Sequence, residues 1–228
     1  MRVIRVVTLV ALTGVPLLGA GLWAQVAGQG YRAVGVAKAG DIAYPANSAV
    51  TGVVTLGVSV DASGAVQKVT AVRDLPPLTG AAQDGVKAWK FAAAMKEGQP
   101  AAGDVRVHLV FNPYNPGGTQ IQGGEEPAPN YSAAGVDADF QPAQLLSAMY
   151  AQYPVNTTGN GTVVAVLNVD AQGNVGAVRV IRGAGPLAGA VTRTVKDWKF
   201  TPASYKGKPV ASVIPVAYVF ASPALGTP

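Results

Sequence analysis

The side chains that could carry out chemistry are few in this chain and far apart. The sequence has no cysteine and one histidine, His108, so composition alone excludes disulfides, thiolate catalysis and Cys-based metal sites. Catalysis needs a nucleophile, an acid–base pair or a metal held in a close constellation, and no such set surrounds His108 in the sequence. We therefore predict a protein that is not an enzyme and binds no metal or cofactor.

The remaining polar motifs have simpler explanations. Asp61 and Asp170 occupy matching positions, but each opens an Asp-x-x-Gly turn, and turn formation explains them. Asn130, Asn156 and Asn160 match the glycosylation sequon, which we interpret as chance. No glycine-rich loop has phosphate-binding spacing. The positive residues are scattered without a basic run, which argues against nucleic acid as a partner.

A stretch of the chain occurs twice, at an offset of 109 residues. Tyr153–Phe220 repeats Tyr44–Phe111 without a gap, and about 28 of 68 positions are identical. The shared residues include Tyr-Pro, Val-Asp-x-x-Gly, Pro-Leu, Trp-Lys-Phe and Val-Phe. A period near 100 residues is too long for a solenoid and indicates two copies of one small domain.

The first copy has the pattern of a β-hairpin, a helix and a third strand. Residues 52–60 alternate in apolarity and are followed by a turn. The return strand, 65–73, carries charges typical of a sheet edge. Residues 78–89 have the spacing of an amphipathic helix, and 104–111 alternate again, with Arg106 and His108 predicted on the outward face. A right-handed crossover places the three strands in the order 2-1-3.

The second copy repeats this order, with Arg179 and Arg182 on its return strand and Gln141–Gln152 predicted as a short helix before it. The fold class is therefore predicted as α+β. Each of the two tandem domains would hold a three-stranded antiparallel or mixed sheet with one or two helices on one face. Trp89 and Trp198 end the predicted helices and are interpreted as core residues.

The domain boundaries follow from composition. Arg2 and Arg5 precede an uncharged apolar run, so 1–24 is a cleaved export signal or an uncleaved membrane anchor. Either alternative places the remainder outside the cytoplasm, which we interpret as the periplasm. The other predicted segments are a leader, 25–43; the first copy, 44–113; a Pro/Gly-rich linker, 114–139; and the second copy, 140–222. The linker predicts that the two copies fold independently.

The ordered motifs resemble the C-terminal domain of TonB-type energy transducers. The resemblance rests on Tyr-Pro, Val-Asp-x-x-Gly, Pro-Leu, Trp-Lys-Phe, Pro-Ala, Gly-x-Pro-Val and Val-Phe, in that order. The second copy matches throughout, including Pro202-Ala203 and Pro209-Val210. The first copy departs at Ala93-Ala94 and Ala101.

The resemblance implies a function in partner binding by strand addition. In that family an extended segment of an outer-membrane receptor pairs with the open edge of the third strand. Carried over to this chain, the predicted partner-binding residues are Val213, Pro215, Ala217, Val219 and Ala221 in the second copy, and Arg106 and His108 in the first. Pro215 lacks a donor that Arg106 retains, but the second copy keeps the whole pattern, so we predict it as the binder.

Two hypotheses about function remain open. The first is a TonB-like periplasmic protein that binds an outer-membrane receptor or another envelope protein by strand addition; energy transduction for transport, with inner-membrane motor proteins as further partners, is an open option within it. The second is a structural or adaptor module that holds envelope proteins or cell-wall material without transducing force. The chain has no histidine before His108 and only a short leader, so a complete transducer is not indicated.

The interpretation of the tryptophans as core residues gives a first prediction. Trp198→Ala and Trp89→Ala should each lower the free energy of unfolding by roughly 3–5 kcal/mol, because each deletes a large side chain between helix and sheet. Urea denaturation followed by circular dichroism measures this. An unchanged midpoint for Trp198→Ala would contradict a helix packed on the sheet.

Overall fold

The structure is a computed structural model of the chain. It describes residues 30–46, 48–113, 120–122, 136–154, 157, 160–183 and 185–221. The predicted signal or anchor, most of the predicted linker and the last residues of the chain lie outside these ranges. Among the helices of the described part, none is both long enough and apolar enough to cross a membrane.

The first copy begins earlier than the repeat predicted and consists mainly of strands. Its elements are β1 (Tyr31–Arg32), β2 (Gly35–Lys38), β3 (Gly52–Val60), β4 (Val66–Arg73), α1 (Leu78–Lys87), β5 (Lys90–Ala92), β6 (Ala94–Lys96), β7 (Gln99–Ala101) and β8 (Gly103–Pro113). The coarse prediction of an α+β fold is confirmed.

The second copy repeats the first at the same offset. Its elements are β10 (Phe140–Gln141), β11 (Gln144–Met149), β12 (Gly161–Val169), β13 (Val175–Arg182), α2 (Gly185–Thr194) with a 3-10 turn over Val195–Asp197, β14 (Lys199–Thr201), β15 (Ala203–Tyr205), β16 (Lys208–Val210) and β17 (Ser212–Ala221). The additional strand β9 (Gln120–Gln122) lies between the copies in the chain and has no counterpart among the described residues.

The hairpin turns form where Asp-x-x-Gly predicts them. Asp61 Oδ1 accepts hydrogen bonds from the backbone N–H groups of Ser63 and Ala65 at 2.8 and 3.0 Å. The Ser63 hydroxyl also donates to Asp61 Oδ1. This bond, the largest contributor, and the two backbone bonds hold the pKa of Asp61 below its ordinary value. Gly173, which closes the second copy's turn, has φ +84°, and a Cβ there would lie 1.8 Å from the carbonyl oxygen of Phe200. Only glycine fits this position.

One six-stranded sheet runs through both copies, in the order β13-β12-β17-β8-β3-β4. In each half the hairpin's first strand lies between the other two, and the return strand lies at the outer edge. The two third strands, β8 and β17, were expected to be sheet edges. Instead they lie at the centre, where each pairs with the other.

The pairing of β8 with β17 is parallel, and its register follows from the repeat. Because the strand order is mirrored about this pair, the two copies are related by a rotation about an axis along the strands, and this rotation exchanges the two faces of the sheet. Equivalent residues therefore point to opposite faces, whereas directly paired residues point to the same face. His108 accordingly pairs with Val216 and not with its repeat equivalent, Ala217.

The exchange of faces places the two helices on opposite sides of the sheet. The helix α1 packs against β3 and β4, and α2 packs against β12 and β13. The face that each copy turns away from its own helix is covered by the other copy. As a result the buried apolar residues of both copies form one continuous core.

Two segments differ from the sequence-based expectation. The predicted leader contains β1 and β2, which pair with β6 and β5 of the first copy. The segment Gln141–Gln152, predicted as a helix, contains β11 instead. A short apolar run fits both periodicities, and here Leu145 is buried while Leu146 is 51% exposed, which is the alternation of a strand.

The shared core gives a prediction that replaces independent folding. Full-length protein should unfold in urea as one cooperative transition, because neither half can keep its core without the other. Cleavage at a protease site inserted between residues 123 and 135 should leave two fragments that co-elute in gel filtration. Two separate transitions, or fragments that separate without denaturant, would contradict a single core.

Candidate functional site: the strand edges

The parallel junction between β8 and β17, which we call the seam, consists of residues 108–113 and 216–221. It occupies the edges at which the sequence predicted partner binding. In this structure an incoming strand finds no open edge on either third strand along the seam. The expectation of an open third-strand edge is therefore wrong over residues 108–113 and 216–221, because each copy supplies the strand that pairs with the other there.

The five candidate residues of the second copy all lie on β17. Ala217, Val219 and Ala221 are in the seam, opposite Leu109, Phe111 and Pro113 respectively. Val213 and Pro215 precede it and are buried. The parallel pairing begins at Val216, directly after Pro215, whose nitrogen has no hydrogen to donate to a neighbouring strand.

The two candidate residues of the first copy are buried rather than solvated. His108 is 0% and Arg106 3% exposed. The His108 ring lies 5.7 Å from that of Phe200, and its Nδ1 is 3.1 Å from Thr55 Oγ1. Arg106 Nη1 lies 3.5 Å from the carbonyl oxygen of Ala143. The prediction of an outward, solvated face was wrong because the second copy covers that face.

Polar contacts that the sequence did not predict close the interface between the copies. Asn112 Nδ2 donates to the carbonyl oxygen of Ala151 at 2.7 Å. The Thr162 hydroxyl bonds to both the N–H and the C=O of Ile42, at 2.9 and 3.2 Å. These bonds satisfy buried backbone groups of Ile42 and Ala151, which lie outside the strands. They therefore fix the second copy on the first.

An aromatic cluster joins the start of one copy to the other. The ring of Tyr31 lies 4.9 Å from that of Phe140 and is stacked 5.1 Å from that of Tyr205. Burial raises the pKa of Tyr31 far above its ordinary range, and the nearby Asp137 and Asp104 add to this. Tyr31 and Phe140 are repeat equivalents, so extending the comparison upstream of the Tyr-Pro motif would have found this cluster.

Two ion pairs join the copies at the rim of the interface. Lys96 Nζ lies 2.9 Å from Asp137 Oδ2, and Asp41 forms a two-point pair with Arg182. Burial alone would raise the pKa of Asp137. Hydrogen bonds from Lys96 and from the N–H of Asp139 outweigh burial and hold the pKa below its ordinary value.

Within the described ranges, no three His, Asp or Glu residues come close enough together to hold a metal ion. The repeated unit is a hairpin, a helix and a third strand, with Trp-Lys-Phe closing the helix. It occurs twice and joins through its third strand.

Comparison with known protein families detects this repeated unit in both halves of the chain. The family model for the Gram-negative bacterial TonB protein C-terminal domain matches residues 42–113 and 150–220. The chain belongs to this family. The two matched segments confirm two tandem copies of the TonB C-terminal domain. Searches of the curated proteins and of the solved structures found no match.

Within the described ranges, the paired TonB C-terminal domains have other strand edges with no partner strand. The strands β4 and β13 form the two ends of the six-stranded sheet. Both carry basic residues, and each ladder has two register shifts: at Thr55/Leu56 and Ser59/Val60 in the first copy, and at Val164/Ala165 and Leu167/Val169 in the second. Charges and bulges discourage uncontrolled pairing at an edge, so these two edges are protected.

A third kind of edge differs between the copies. The segment β9 pairs antiparallel with the outer edge of β11, with Ile121 opposite Ala148. The equivalent strand β2 pairs only with β5 among the described residues. The second TonB domain thus has β9 added at the outer edge of β11. At the equivalent outer edge of β2, the described part of the first domain has no strand.

The ion pair between Lys96 and Asp137 gives a prediction about pH. A carboxyl group whose pKa is lowered by folding stabilises the protein above its unfolded pKa of about 3.9, and this contribution is lost as the pH falls through the folded value. Asp137→Asn should therefore lower the free energy of unfolding at pH 7, by less than about 1 kcal/mol because solvent screens a rim pair. The difference from the natural protein should be smaller at pH 3 than at pH 7 and should vanish below the folded pKa of Asp137.

Urea denaturation at the two pH values measures this difference. The control is Asp84→Asn, since Asp84 forms an exposed helical pair with Lys87 and its loss should have little effect. An Asp137→Asn deficit that persists unchanged at pH 3 would show that its cause is not the ionised carboxylate.

Proposed function

We propose that this TonB-family protein acts in the periplasm by binding an extended segment of an outer-membrane receptor or another envelope protein through strand addition. The observation that supports this proposal best is β9. A three-residue segment from outside both repeats pairs with the edge of β11 and brings Ile121 against the core. The pairing of β9 with β11 is an example, within this fold, of a short extended segment added at a strand edge.

The physical basis of such binding is the main chain. An added strand exchanges backbone hydrogen bonds with water for bonds with the edge, and alternate side chains supply selectivity. Among the described strands, none pairs with the outer edges of β4, β13 and β2, although charges and bulges protect β4 and β13 against uncontrolled pairing. We therefore propose that the seam remains paired during binding and that the two copies act as one body.

The proposal is one of binding and not of catalysis. His108 is buried beneath Phe200, out of reach of a substrate. The family assignment also favours binding, and no cofactor is part of the proposal.

A second candidate function is that of an adaptor that holds envelope proteins together without transducing force. One observation favours it over energy transduction. The two third-strand edges, which would take the receptor segment by resemblance, are paired with each other. In this candidate the N-terminal segment serves for export or anchoring only, and no motor protein is required.

The binding proposal is tested by titration of the full-length, 15N-labelled protein. The probe is a synthetic peptide copied from the periplasmic N-terminal segment of an outer-membrane receptor of the same bacterium. We expect saturable amide shifts confined to one outer edge. Absence of binding to receptor segments would favour the adaptor.

A locked variant separates outer-edge binding from third-strand binding. Leu109 and Ala217 are paired across the seam, and the chain has no other cysteine, so Leu109→Cys with Ala217→Cys gives a single possible disulfide. The oxidised and reduced forms should bind the receptor peptide within about twofold of each other. Loss of binding in the oxidised form alone would instead support the predicted site on β17 and β8.

A further inference from the structure

The strands β2 and β11 are the same strand in the two copies. Val36 pairs with Phe91 and Lys38 with Lys90, and the ladder has an irregularity between them. In the second copy Leu145 pairs with Phe200 and Ser147 with Lys199, with the irregularity at the same place. Every one of these positions is related by the offset of 109 residues.

The outer edges of these equivalent strands are occupied differently. In the second copy, Ser147, Ala148 and Met149 pair with Gln122, Ile121 and Gln120 of β9. The equivalent residues of the first copy are Lys38, Ala39 and Gly40. Among the described residues no strand lies opposite them.

The edge at Lys38–Gly40 has a buried apolar centre between two more exposed residues. Ala39 is 5% exposed, like the buried Ala148 that lies opposite Ile121. Lys38 is exposed and Gly40 half-buried. A Cβ built on Gly40 would meet only Trp89 Cδ1, at an ordinary 3.9 Å, so the backbone there is not crowded.

Charge gives this edge a preference that β11 does not have. Lys38 and Lys90 are both exposed and directly opposite each other, an arrangement of like charges that is unfavourable in a sheet. At the equivalent place in the second copy Lys199 faces Ser147, and its Nζ donates to Asn174 Oδ1 at 2.9 Å. The equivalent of Asn174 is Ala65, which offers Lys90 no such acceptor.

We propose that the outer edge of Lys38–Gly40 is a strand-addition site for an extended segment of another envelope protein. The segment runs antiparallel to the edge, has an aliphatic residue opposite Ala39 and carries an acidic residue opposite Lys38. The aliphatic residue takes the position that Ile121 has in the second copy. The acidic side chain offsets the paired lysines. This inference rests on the proposed function and names its site.

The test uses the full-length, 15N-labelled protein and a probe derived from the chain itself. The probe is an acetylated, amidated peptide with the sequence of residues 119–124 and the change Gln122→Glu, which places the acid opposite Lys38. Saturable shifts should appear in the amides of Lys38–Asp41 and in Lys90. The same peptide without the change should bind about fivefold more weakly, the effect of one exposed ion pair.

The protein variants are matched for charge. Lys38→Glu should weaken binding of the acidic peptide at least about fivefold, while Lys68→Glu, the same change on the open edge β4, should alter it less than twofold. Because both lysines are exposed, neither variant should change the fold, and the unperturbed amides of the spectrum verify this.

Several results would overturn the proposal. These are shifts confined to β4, β13 or the seam, equal weakening by both variants, or no saturable shift at all. Amides of Lys38–Gly40 that are protected from exchange in the protein alone would show an occupant already present. Protection that depends on concentration, with a doubled mass in ultracentrifugation, would identify a second copy of the chain as that occupant. Protection at all concentrations would identify another segment of the same chain.

Failure of the site at Lys38–Gly40 can be distinguished from failure of the proposed receptor-binding function. A receptor segment that binds at β4 or β13 would leave strand addition standing and remove this site. The acidic peptide bound at Lys38–Gly40, with no receptor segment binding anywhere, would leave the site and remove the proposed partner.

Discussion

The parallel pairing between β8 and β17 is the constraint on which the rest of the structure depends. Because equivalent strands meet in parallel at the centre of a mirrored strand order, the two copies turn opposite faces of the sheet to their own helices. Each copy then covers a face that the other leaves bare. The burial of His108, the contacts of Asn112 and Thr162 and the continuous core all follow from that geometry.

Local sequence was sufficient to predict the hairpins, the helix that follows each hairpin and the edge position of the return strands. These depend on residues close together in the chain, such as the Asp61–Gly64 turn and the helical spacing that ends at Trp89. The seam depends on an association between strands that are about 109 residues apart. No alternation within β8 or β17 distinguishes an edge that faces water from one that faces its own duplicate.

The errors in the predicted site have one physical cause. Arg106 and His108 were assigned to solvent because polar residues that alternate with apolar ones in a strand are usually exposed. A sheet covered on both faces also holds polar residues, provided that they find partners such as Thr55 or the Ala143 carbonyl. The difference between β2 and β11 could not be predicted either, since it arises from β9, three residues within a segment that reads as a linker.

Joining the two domains in one chain also changes what substitutions the interface can accept. In a dimer of identical subunits, a residue beside the symmetry axis appears twice, and any replacement must fit both places at once. Here His108 has Ala217 as its counterpart, and Arg106 has Pro215. The imidazole ring of His108 and the methyl group of Ala217 can occupy equivalent positions at the seam because the two residues are separately encoded. Gene duplication has thus given this interface a freedom that a symmetric dimer lacks, and each half can diverge toward a different task.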